Sequence, residues 1–320
     1  MTTGVTTFPV VFASGGTPMA GRVHRRSESL TERQPAVLVT GSWLTVKEQM
    51  ADRYAKELAA RGYTAITFDF AGWGRSGGDL RQAELPSRKI ADIDAAARFV
   101  STLSFVQPGA VGYLGICASA QYGLAAVGQG APIAAYGSVA GWFHDTGSVA
   151  PFYGGEDGVR LRLGRAEEAL DRYLRDGEVV TVPAYEPGND RAGMPLELDY
   201  YANPERGAIP EWSNEMAEMS WIPWLTFDGL SAASSVSAPT LLVHSDGCVF
   251  PDHIDVLRRR LRGPVDVAWG EGGQIDFYDL PDQVGFAVEA LDAHFAKALA
   301  EPAGAGTRER SAMGRGGRAG

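Results

Sequence analysis

Residues 115–119 read Gly-Ile-Cys-Ala-Ser and place a nucleophilic thiol, Cys117, among small neighbours. The apolar run 111–117 predicts a strand and residues 118–127 predict a helix, so Cys117 lies where a strand turns sharply into a helix. Such a turn lifts the side chain at its apex above the sheet edge and beside the first amides of the helix, where a thiol ionises more easily. The pattern predicts a nucleophile that attacks a carbonyl carbon, and a buried structural cysteine is the alternative.

The elements that must position Cys117 alternate along the chain. Apolar strand-like runs are followed by segments with helical spacing, which indicates a parallel sheet covered by helices on both faces. Two extended runs, at residues 7–12 and 19–24, flank a glycine turn and predict an opening antiparallel hairpin. The other predicted strands are 36–40, 64–70, 111–117, 133–139, 240–244 and 265–269. The predicted helices are 46–61, 90–103, 118–127, 253–261 and 282–299.

The alternation lapses from residue 140 to residue 238, a stretch that is dense in aromatic residues and holds four of the seven tryptophans. We predict a core built from residues 1–141 and 239–300, an inserted mainly helical lid over residues 142–238, and a disordered tail over residues 301–320. A lid inserted over a sheet edge commonly lines a pocket. The expected pocket residues are Trp142, Trp221, Trp224 and Cys248.

Composition limits the partners of the chain. The formal net charge is −10, from 29 basic and 39 acidic residues, and a chain with that balance is poorly suited to bind nucleic acid or anionic membranes. Two cysteines cannot build a secreted disulfide framework, and no Cys/His cluster has zinc spacing, so we expect neither a metal nor an organic cofactor. With no signal peptide and no membrane-spanning stretch, the sequence predicts a cytoplasmic protein whose partner is a small-molecule substrate, with a homodimer left open.

These residues resemble the α/β-hydrolase superfamily, and most closely the branch similar to dienelactone hydrolase, in which cysteine often replaces the serine of the elbow. The resemblance covers nearly the whole chain outside the tail and implies an α/β-hydrolase fold: a mostly parallel, doubly wound sheet with an N-terminal antiparallel hairpin and an inserted lid. Its segments are residues 11–24, 41–50, 68–78, 111–120, 140–145, 219–221, 241–246 and 274–279. The glycines of residues 72–77 also fit a dinucleotide fingerprint, but the family places them as structure, so no bound nucleotide is expected.

In the family, the strand after the insertion ends near the acid of the catalytic triad, and the loop after the last strand carries the base. Asp246 follows predicted strand 240–244 and is the candidate acid, with a loop-capping aspartate as the alternative. Many family members carry the acid two positions later, where this chain has Cys248. Where the base is commonly histidine, this chain has Gln274, whose amide cannot accept a proton at neutral pH but can orient a substrate or hydrogen-bond a thiolate.

His144 is the histidine best placed to reach Cys117. It follows predicted strand 133–139, next to the strand of the nucleophile and on the edge where such sheets bind ligands. A hydrogen-bonded histidine at the hinge of the lid is the alternative. An oxyanion hole needs two amide donors. The expected donors are Ala118 and either Ser42 or Trp43.

Three functions are open on these residues. The leading hypothesis is an esterase- or thioesterase-like enzyme in which Cys117 attacks an ester, lactone or thioester carbonyl, while Asp246 and either His144 or Gln274 position the group that handles the proton. The missing histidine favours, as a second hypothesis, a non-hydrolytic lyase, cyclase or isomerase that acts on a polyketide-like or aromatic intermediate. The third is a non-catalytic ligand-binding protein on the same fold.

Overall fold

The computed structural model describes residues 4–300 of the 320-residue chain. The disordered tail predicted for residues 301–320 lies outside the described residues. The strands are β1 (Val5–Ser14), β2 (Thr17–Arg26), β3 (Gln34–Thr40), β4 (Thr64–Phe68), β5 (Val106–Ile116), β6 (Ala135–Val139), β7 (Thr181–Pro183), β8 (Glu215–Ala217), β9 (Thr240–His244) and β10 (Val265–Trp269). The α-helices are α1 (Met50–Ala60), α2 (Pro86–Ser101), α3 (Ser119–Gly128), α4 (Gly155–Asp176), α5 (Asp199–Ala202), α6 (Trp221–Leu225), α7 (Pro251–Arg260), α8 (Asp276–Asp279) and α9 (Pro281–Ala298).

The main sheet has the strand order β1-β2-β4-β3-β5-β6-β9-β10. β1 pairs with β2 and β2 pairs with β4 in antiparallel fashion, and the pairs from β4 to β10 are all parallel. The predicted parallel sheet and its opening hairpin are therefore confirmed. The strand that leads to Cys117, β5, lies between β3 and β6, so the carboxyl ends of three neighbouring strands meet beside the thiol.

Helices cover both faces of this sheet. Successive residues of β5 point to opposite faces, so neighbouring residues contact different helices. Gly112 faces α9, and a Cβ atom there would lie 2.9 Å from the ring of Phe295. The next residue, Tyr113, faces α3, where its ring lies so close to Gly123 that a Cβ atom there would come within 1.9 Å of it. These close approaches fix the positions of α3 and α9 relative to β5.

The first core helix begins later than predicted, at Met50 instead of residue 46. The Gln49 side chain accepts a hydrogen bond from the Val46 amide at 2.9 Å, and the Thr45 hydroxyl donates to the Ser42 carbonyl at 2.7 Å. These local bonds hold residues 42–49 as turns instead of helix. The result is an ordered loop at the carboxyl end of β3, close to the elbow.

The segment between β6 and β9 contains α4, α5 and α6, the antiparallel pair β7–β8 and several short 3-10 helices. Its longest helix, α4, turns Arg162 inward, and the guanidinium group of this arginine lies over the rings of Tyr153 and Trp221. Most aromatic residues of the segment join the same hydrophobic core as the sheet, whereas Tyr173 packs in a separate small cluster and Phe152 is exposed. Among residues 4–300, none of the helices has the length and apolar character that crossing a membrane requires.

Candidate active site

The Cys117 backbone has the left-handed conformation, with φ of 55°. Its amide donates to the Val139 carbonyl at 3.1 Å, and its carbonyl accepts from the amides of Ala120 at 3.0 Å and Trp142 at 2.9 Å. A non-glycine residue in this conformation costs about 1–3 kcal/mol and persists only where the surrounding structure holds it. The strained strand-to-helix turn predicted at Cys117 is therefore present.

The small residues around the elbow are required by the backbone. A Cβ atom at Gly115 would lie 2.6 Å from the Cα atom of Ala120. The Ser119 hydroxyl donates to the Thr40 carbonyl at 2.9 Å, and the Tyr113 hydroxyl donates to the Ser119 carbonyl at 2.8 Å. These contacts tie the first turn of α3 to the end of β3, so the elbow cannot relax without disturbing the sheet.

Cys117 borders a cavity of about 130 Å³ that lies between the sheet edge and the segment that follows β6. The thiol residue itself is 4% exposed. The lining is mostly apolar and includes the indole rings of Trp43, Trp142 and Trp224. Among the described residues that line the cavity, the titratable groups are one thiol and three phenols, and no carboxylate or histidine is present: Cys117, Tyr153, Tyr201 and Tyr278.

Two backbone amides near the thiol have no acceptor among the described residues. Neither Ala118 nor Trp43 donates its amide to any group within residues 4–300. The Ser42 amide, in contrast, donates to the sulfur of Met50 at 3.4 Å. Of the two alternatives for the second oxyanion donor, Trp43 is thus the one with a spare N–H, and it lines the cavity together with Cys117.

The Gln274 side chain connects two loops at the sheet edge through hydrogen bonds. Its Nε2 atom donates to the Ala140 carbonyl at 2.7 Å, and its Oε1 atom accepts from the Val249 amide at 3.1 Å. Nε2 also donates to the Tyr278 hydroxyl, with the nitrogen and the oxygen 3.5 Å apart. Because both ends of the amide are engaged, Gln274 lines the cavity in a fixed orientation and contributes donors, not a proton acceptor.

Three hydroxyl groups form a row beside the thiol. The Tyr201 hydroxyl donates to the Ser42 hydroxyl at 3.1 Å, and the Ser42 hydroxyl lies 3.2 Å from the Tyr278 hydroxyl. The Tyr278 hydroxyl in turn interacts with the Cys117 side chain. Burial, followed by the charge of an ionised Cys117, raises the pKa of Tyr278 well above its usual range, and burial does the same to the pKa of Tyr201.

Sequence reasoning missed Tyr278 and Tyr201 as functional candidates. Tyr278 lies on α8, a four-residue helix that is too short to produce a helical period. The helix is held in place because Tyr54 donates to the Phe277 carbonyl at 2.6 Å and Arg206 pairs with Asp279 at 2.9 Å. The one available signal was position, since Tyr278 lies four residues after the glutamine that stands at the family's base position.

His144 does not line the cavity. Its Nδ1 atom lies 2.7 Å from Nε1 of Trp142, and its Nε2 atom lies 2.9 Å from the Trp224 carbonyl. Because an indole N–H can only donate, Nδ1 is the acceptor and Nε2 carries the proton that is donated to the carbonyl. Burial lowers the pKa of His144 to about 4, so the ring is neutral at pH 7. The geometry matches the alternative of a hydrogen-bonded histidine at the hinge.

Asp246 and Cys248 also lie outside the cavity. Asp246 is exposed and borders a separate surface depression beside α7. Cys248 is buried against the Ser245 hydroxyl, with its sulfur 3.2 Å from that oxygen, and burial raises the pKa of its thiol to about 11. The structure thus brings Gln274, Ser42, Trp43 and Ala118 to Cys117, and it places the two candidate partners with ionisable or basic side chains, Asp246 and His144, elsewhere.

The predicted tryptophans form one aromatic cluster, of which only a part faces the cavity. Trp43 stacks on Trp224 with ring centroids 4.5 Å apart, and both line the cavity with Trp142. Trp221 lies behind them, 5.6 Å from Trp43, and does not border the cavity. The cluster therefore forms a flat apolar wall, with Trp221 supporting it.

A larger groove of about 570 Å³ lies between α4 and β7 and contains none of the predicted site residues. It is lined by charged side chains that neutralise one another in part, such as Arg191 and Glu218, which form two hydrogen bonds of 2.5 and 3.1 Å. Over the range 4–300, no group of three or more His, Cys, Asp or Glu side chains is arranged to hold a metal ion. The cavity beside Cys117 is therefore the better candidate for chemistry.

No family model matches the sequence. Protein YcjY of Escherichia coli is 39% identical over 109 residues, which are 34% of this chain and only 36% of that relative. Protein PA2218 of Pseudomonas aeruginosa is 28% identical over 268 residues, which are 80% of this chain and 71% of PA2218. The polyketide transferase claH of Penicillium crustosum is 24% identical over 277 residues, which are 80% of this chain and 86% of claH.

Solved structures resemble the whole described fold. The crystal structure of PA2218 superposes with a TM-score of 0.80 at 23% identity and covers 92% of this chain and 94% of its own. GrgF from Penicillium, described as an alpha/beta hydrolase, superposes with a TM-score of 0.72 at 20% identity and covers 91% of this chain and 99% of its own. At these identities the likeness concerns the fold, so the chemistry has to be argued from the residues.

Proposed function

We propose that this protein is an enzyme that cleaves an ester or thioester by attack of Cys117 on the carbonyl carbon. The premise is the α/β-hydrolase fold, which the sheet order and these structural matches establish. One observation carries the proposal: Cys117 stands at a strained elbow and borders a cavity, next to two amides for which the described residues offer no acceptor. Strain of this kind clusters at catalytic turns.

The first step forms an acyl-enzyme. The sulfur of Cys117 attacks the carbonyl carbon, and the Ala118 and Trp43 amides donate to the oxygen on which negative charge develops. Losing one such donor typically costs about 3 kcal/mol of transition-state stabilisation. When the intermediate collapses, the leaving group departs with its bonding electron pair and takes up the thiol proton, and the acyl group stays on sulfur.

The fate of the acyl group follows from the lining of the cavity. No carboxylate or histidine lies there to take a proton from water, so we expect the acyl-enzyme to hydrolyse slowly. A stronger nucleophile than water, such as a thiol or an amine, needs less help and would accept the acyl group faster. The similarity to a polyketide transferase supports transfer as the second half of the reaction.

The acyl group is expected to be flat and apolar. The indole rings of Trp43, Trp142 and Trp224 form much of the cavity wall, and aromatic rings of this kind pack well against planar, unsaturated or aromatic groups. At about 130 Å³ the space holds a small acyl group, so a longer one would extend towards the half-exposed Phe152 at the cavity margin.

The absence of a base also favours a second candidate, a non-hydrolytic lyase, cyclase or isomerase that acts on a polyketide-like or aromatic intermediate. In that case the cavity binds the intermediate, and the Tyr278 hydroxyl, to which Gln274 donates, stabilises charge on it. The two candidates differ in covalent chemistry, since only the first one loads an acyl group onto Cys117.

The test is the mass of the protein after incubation with benzoyl and other aryl-acyl thioesters of N-acetylcysteamine. The chain has two cysteines, so Cys117→Ala and Cys248→Ala form a matched pair. We expect one acyl group on the wild type and on Cys248→Ala and none on Cys117→Ala. An unmodified wild type, or a Cys117→Ala variant that still carries the acyl group, would contradict the proposal.

A further inference from the structure

The hydroxyl row beside Cys117 ends at Tyr278. Gln274 donates a hydrogen from Nε2 to the Tyr278 oxygen, with the two atoms 3.5 Å apart, because Nε2 cannot accept. Tyr201 donates to the Ser42 oxygen at 3.1 Å, and the Ser42 and Tyr278 oxygens are 3.2 Å apart, where either hydroxyl can be the donor. A hydroxyl has one hydrogen and two lone pairs, so Tyr278 can both give a proton and receive one while it stays bonded to Gln274.

We infer that the Tyr278 hydroxyl is the catalytic proton carrier of the acylation of Cys117, in the place where relatives of the fold have a histidine. The inference rests on the proposed function and deepens it. It rests on three observations. Tyr278 lines the same cavity as Cys117, and its hydroxyl ends a row of buried hydroxyls. The two other phenols of the described lining are engaged elsewhere, since Tyr201 donates to Ser42 and Tyr153 accepts from Nε1 of Trp224.

The step balances without any co-reactant. The Cys117 sulfur forms a bond to the carbonyl carbon, and its proton moves to the Tyr278 oxygen. At the same time the original Tyr278 hydroxyl proton moves to the leaving sulfur. When the intermediate then collapses, the bond between the carbonyl carbon and that sulfur breaks and its electron pair stays with the sulfur. The products are the acyl-enzyme and a free thiol, and the phenol is regenerated.

In this scheme Tyr278 gives one proton while it receives another, and it does not act as a phenolate base. Burial raises the pKa of this phenol well above its usual range, so a phenolate does not accumulate at neutral pH. A neutral hydroxyl that receives one proton while giving another avoids the buried phenolate. The Ser42 hydroxyl bonds to the phenol oxygen and the Tyr201 hydroxyl bonds to Ser42, so both are positioning residues in this scheme.

The inference also defines the substrate class. An alkyl thiolate is a poor leaving group and gains from receiving a proton as it departs, whereas an acidic thiophenolate leaves without one. A site that carries a proton to the leaving sulfur is suited to acyl thioesters of alkanethiols. The dependence of the rate on the leaving group is thus a property that a merely structural tyrosine would not change.

The experiment compares two donors of one benzoyl group, the N-acetylcysteamine thioester and the 4-nitrothiophenyl thioester, in single-turnover acylation of Cys117 followed by mass. Tyr278→Phe keeps the ring that packs 5.1 Å from Tyr200 and removes only the hydroxyl. We expect it to slow acylation by the alkyl donor about 100-fold and by the aryl donor less than about 3-fold. Tyr63→Phe removes a hydroxyl that bonds to Asp292 far from the cavity and is expected to change neither rate.

Each outcome decides the inference. Equal losses with both donors, or no loss with either, would overturn it and leave the role of Cys117 intact. A wild type that accepts neither donor would overturn the proposed function and this inference with it. If Tyr278→Phe does not fold, Ser42→Ala carries the test, because it keeps the Ser42 amide and removes the hydroxyl that bonds to the phenol. We expect about a 10-fold loss with the alkyl donor only.

Discussion

The two sides of the cavity differ in the catalytic groups that they offer. On the side of β3 and β5, the elbow of Cys117, the Ala118 amide and the Trp43 amide form a complete set for attack on a carbonyl. On the side of β9 and β10, the loops hold an exposed aspartate, a buried thiol and a glutamine whose amide is fully engaged. Under the proposed function, the first side attacks the carbonyl, and the second side, within the described residues, offers no histidine or carboxylate at the cavity to activate water.

This difference separates two requirements that a catalytic triad combines. Stabilising charge on a carbonyl oxygen depends on backbone amides, which are fixed by the fold and insensitive to side-chain identity. Activating water depends on a basic side chain, which one substitution removes. The described lining offers the first and, in place of a basic side chain, hydroxyl and amide groups, which under the proposed function favours transfer of an acyl group over its hydrolysis.

The largest effect is expected from a methyl group on the attacking side. Gly115→Ala should lower the free energy of unfolding by about 3 kcal/mol, because the new Cβ atom would lie 2.6 Å from a backbone atom of Ala120 that cannot move independently of α3. Chemical denaturation measures the change. Gly273→Ala, on the other side of the cavity, is the matched control, since its Cβ atom would meet nothing closer than 3.4 Å. Similar losses at both positions would show that the elbow is no more tightly constrained than the opposite loop.

The next effect tests whether the other half can be rebuilt. Gln274→His combined with Cys248→Asp installs an imidazole and a carboxylate at the positions where the family commonly has its base and acid. We expect hydrolysis of the benzoyl-enzyme to rise about 100-fold, because a general base then takes the proton of the attacking water. Release of benzoate from the preloaded enzyme gives the rate.

The single variants are the controls for this reconstruction. Cys248→Asp alone should leave the hydrolysis rate unchanged, because no base is present for the carboxylate to orient. Gln274→His alone should give only part of the gain. If the double variant hydrolyses its acyl-enzyme no faster than the wild type, the lack of a base is not what limits this half of the site.

A smaller effect concerns the histidine that supports the aromatic wall. The pKa of His144 is lowered by burial to about 4 from an unfolded value near 6.5, so the unfolded chain binds more protons between these values. Its contribution to stability is complete above pH 6.5 and is lost as the pH falls towards 4. We expect the wild type to lose about 2 kcal/mol more than His144→Gln between pH 7.5 and 5, measured by urea denaturation at each pH. Parallel curves for the two proteins would contradict this assignment. His244, whose pKa burial also lowers to about 4, is present in both and cancels.

Apolar runs and helical periodicity in the sequence predicted the fold well. The strands β9 and β10 begin and end where their apolar runs do, and the elbow at Cys117 follows from small residues between a strand and a helix. The start of α1 was predicted four residues early, because Gln49 bonds to the Val46 amide and holds a turn that periodicity does not register. Sequence patterns thus gave the elements, and side-chain bonds to the backbone set their ends.

The site was predicted less completely because it depends on the direction in which each side chain points. Order along the chain places His144 at the correct sheet edge, yet its two nitrogens face Trp142 and Trp224, away from the thiol. Tyr278 and Tyr201 each lie on a four-residue helix, α8 and α5, so no helical period marks either of them. Which way a side chain points from a loop is decided by tertiary contacts that one sequence does not reveal.

The smallest expected effect separates the sequence-based assignment of Asp246 from its position in the structure. As the acid of a triad, Asp246 would orient the proton-handling group, and Asp246→Asn would slow acylation of Cys117 by about 100-fold or more. Its carboxylate is instead exposed in a depression beside α7 and does not border the cavity. We therefore expect Asp246→Asn to change single-turnover acylation by less than about 2-fold, within the range of a surface substitution. A large loss would mean that the loop after β9 swings towards Cys117 when substrate binds, and the contrast between the two sides of the cavity would then describe only the unliganded protein.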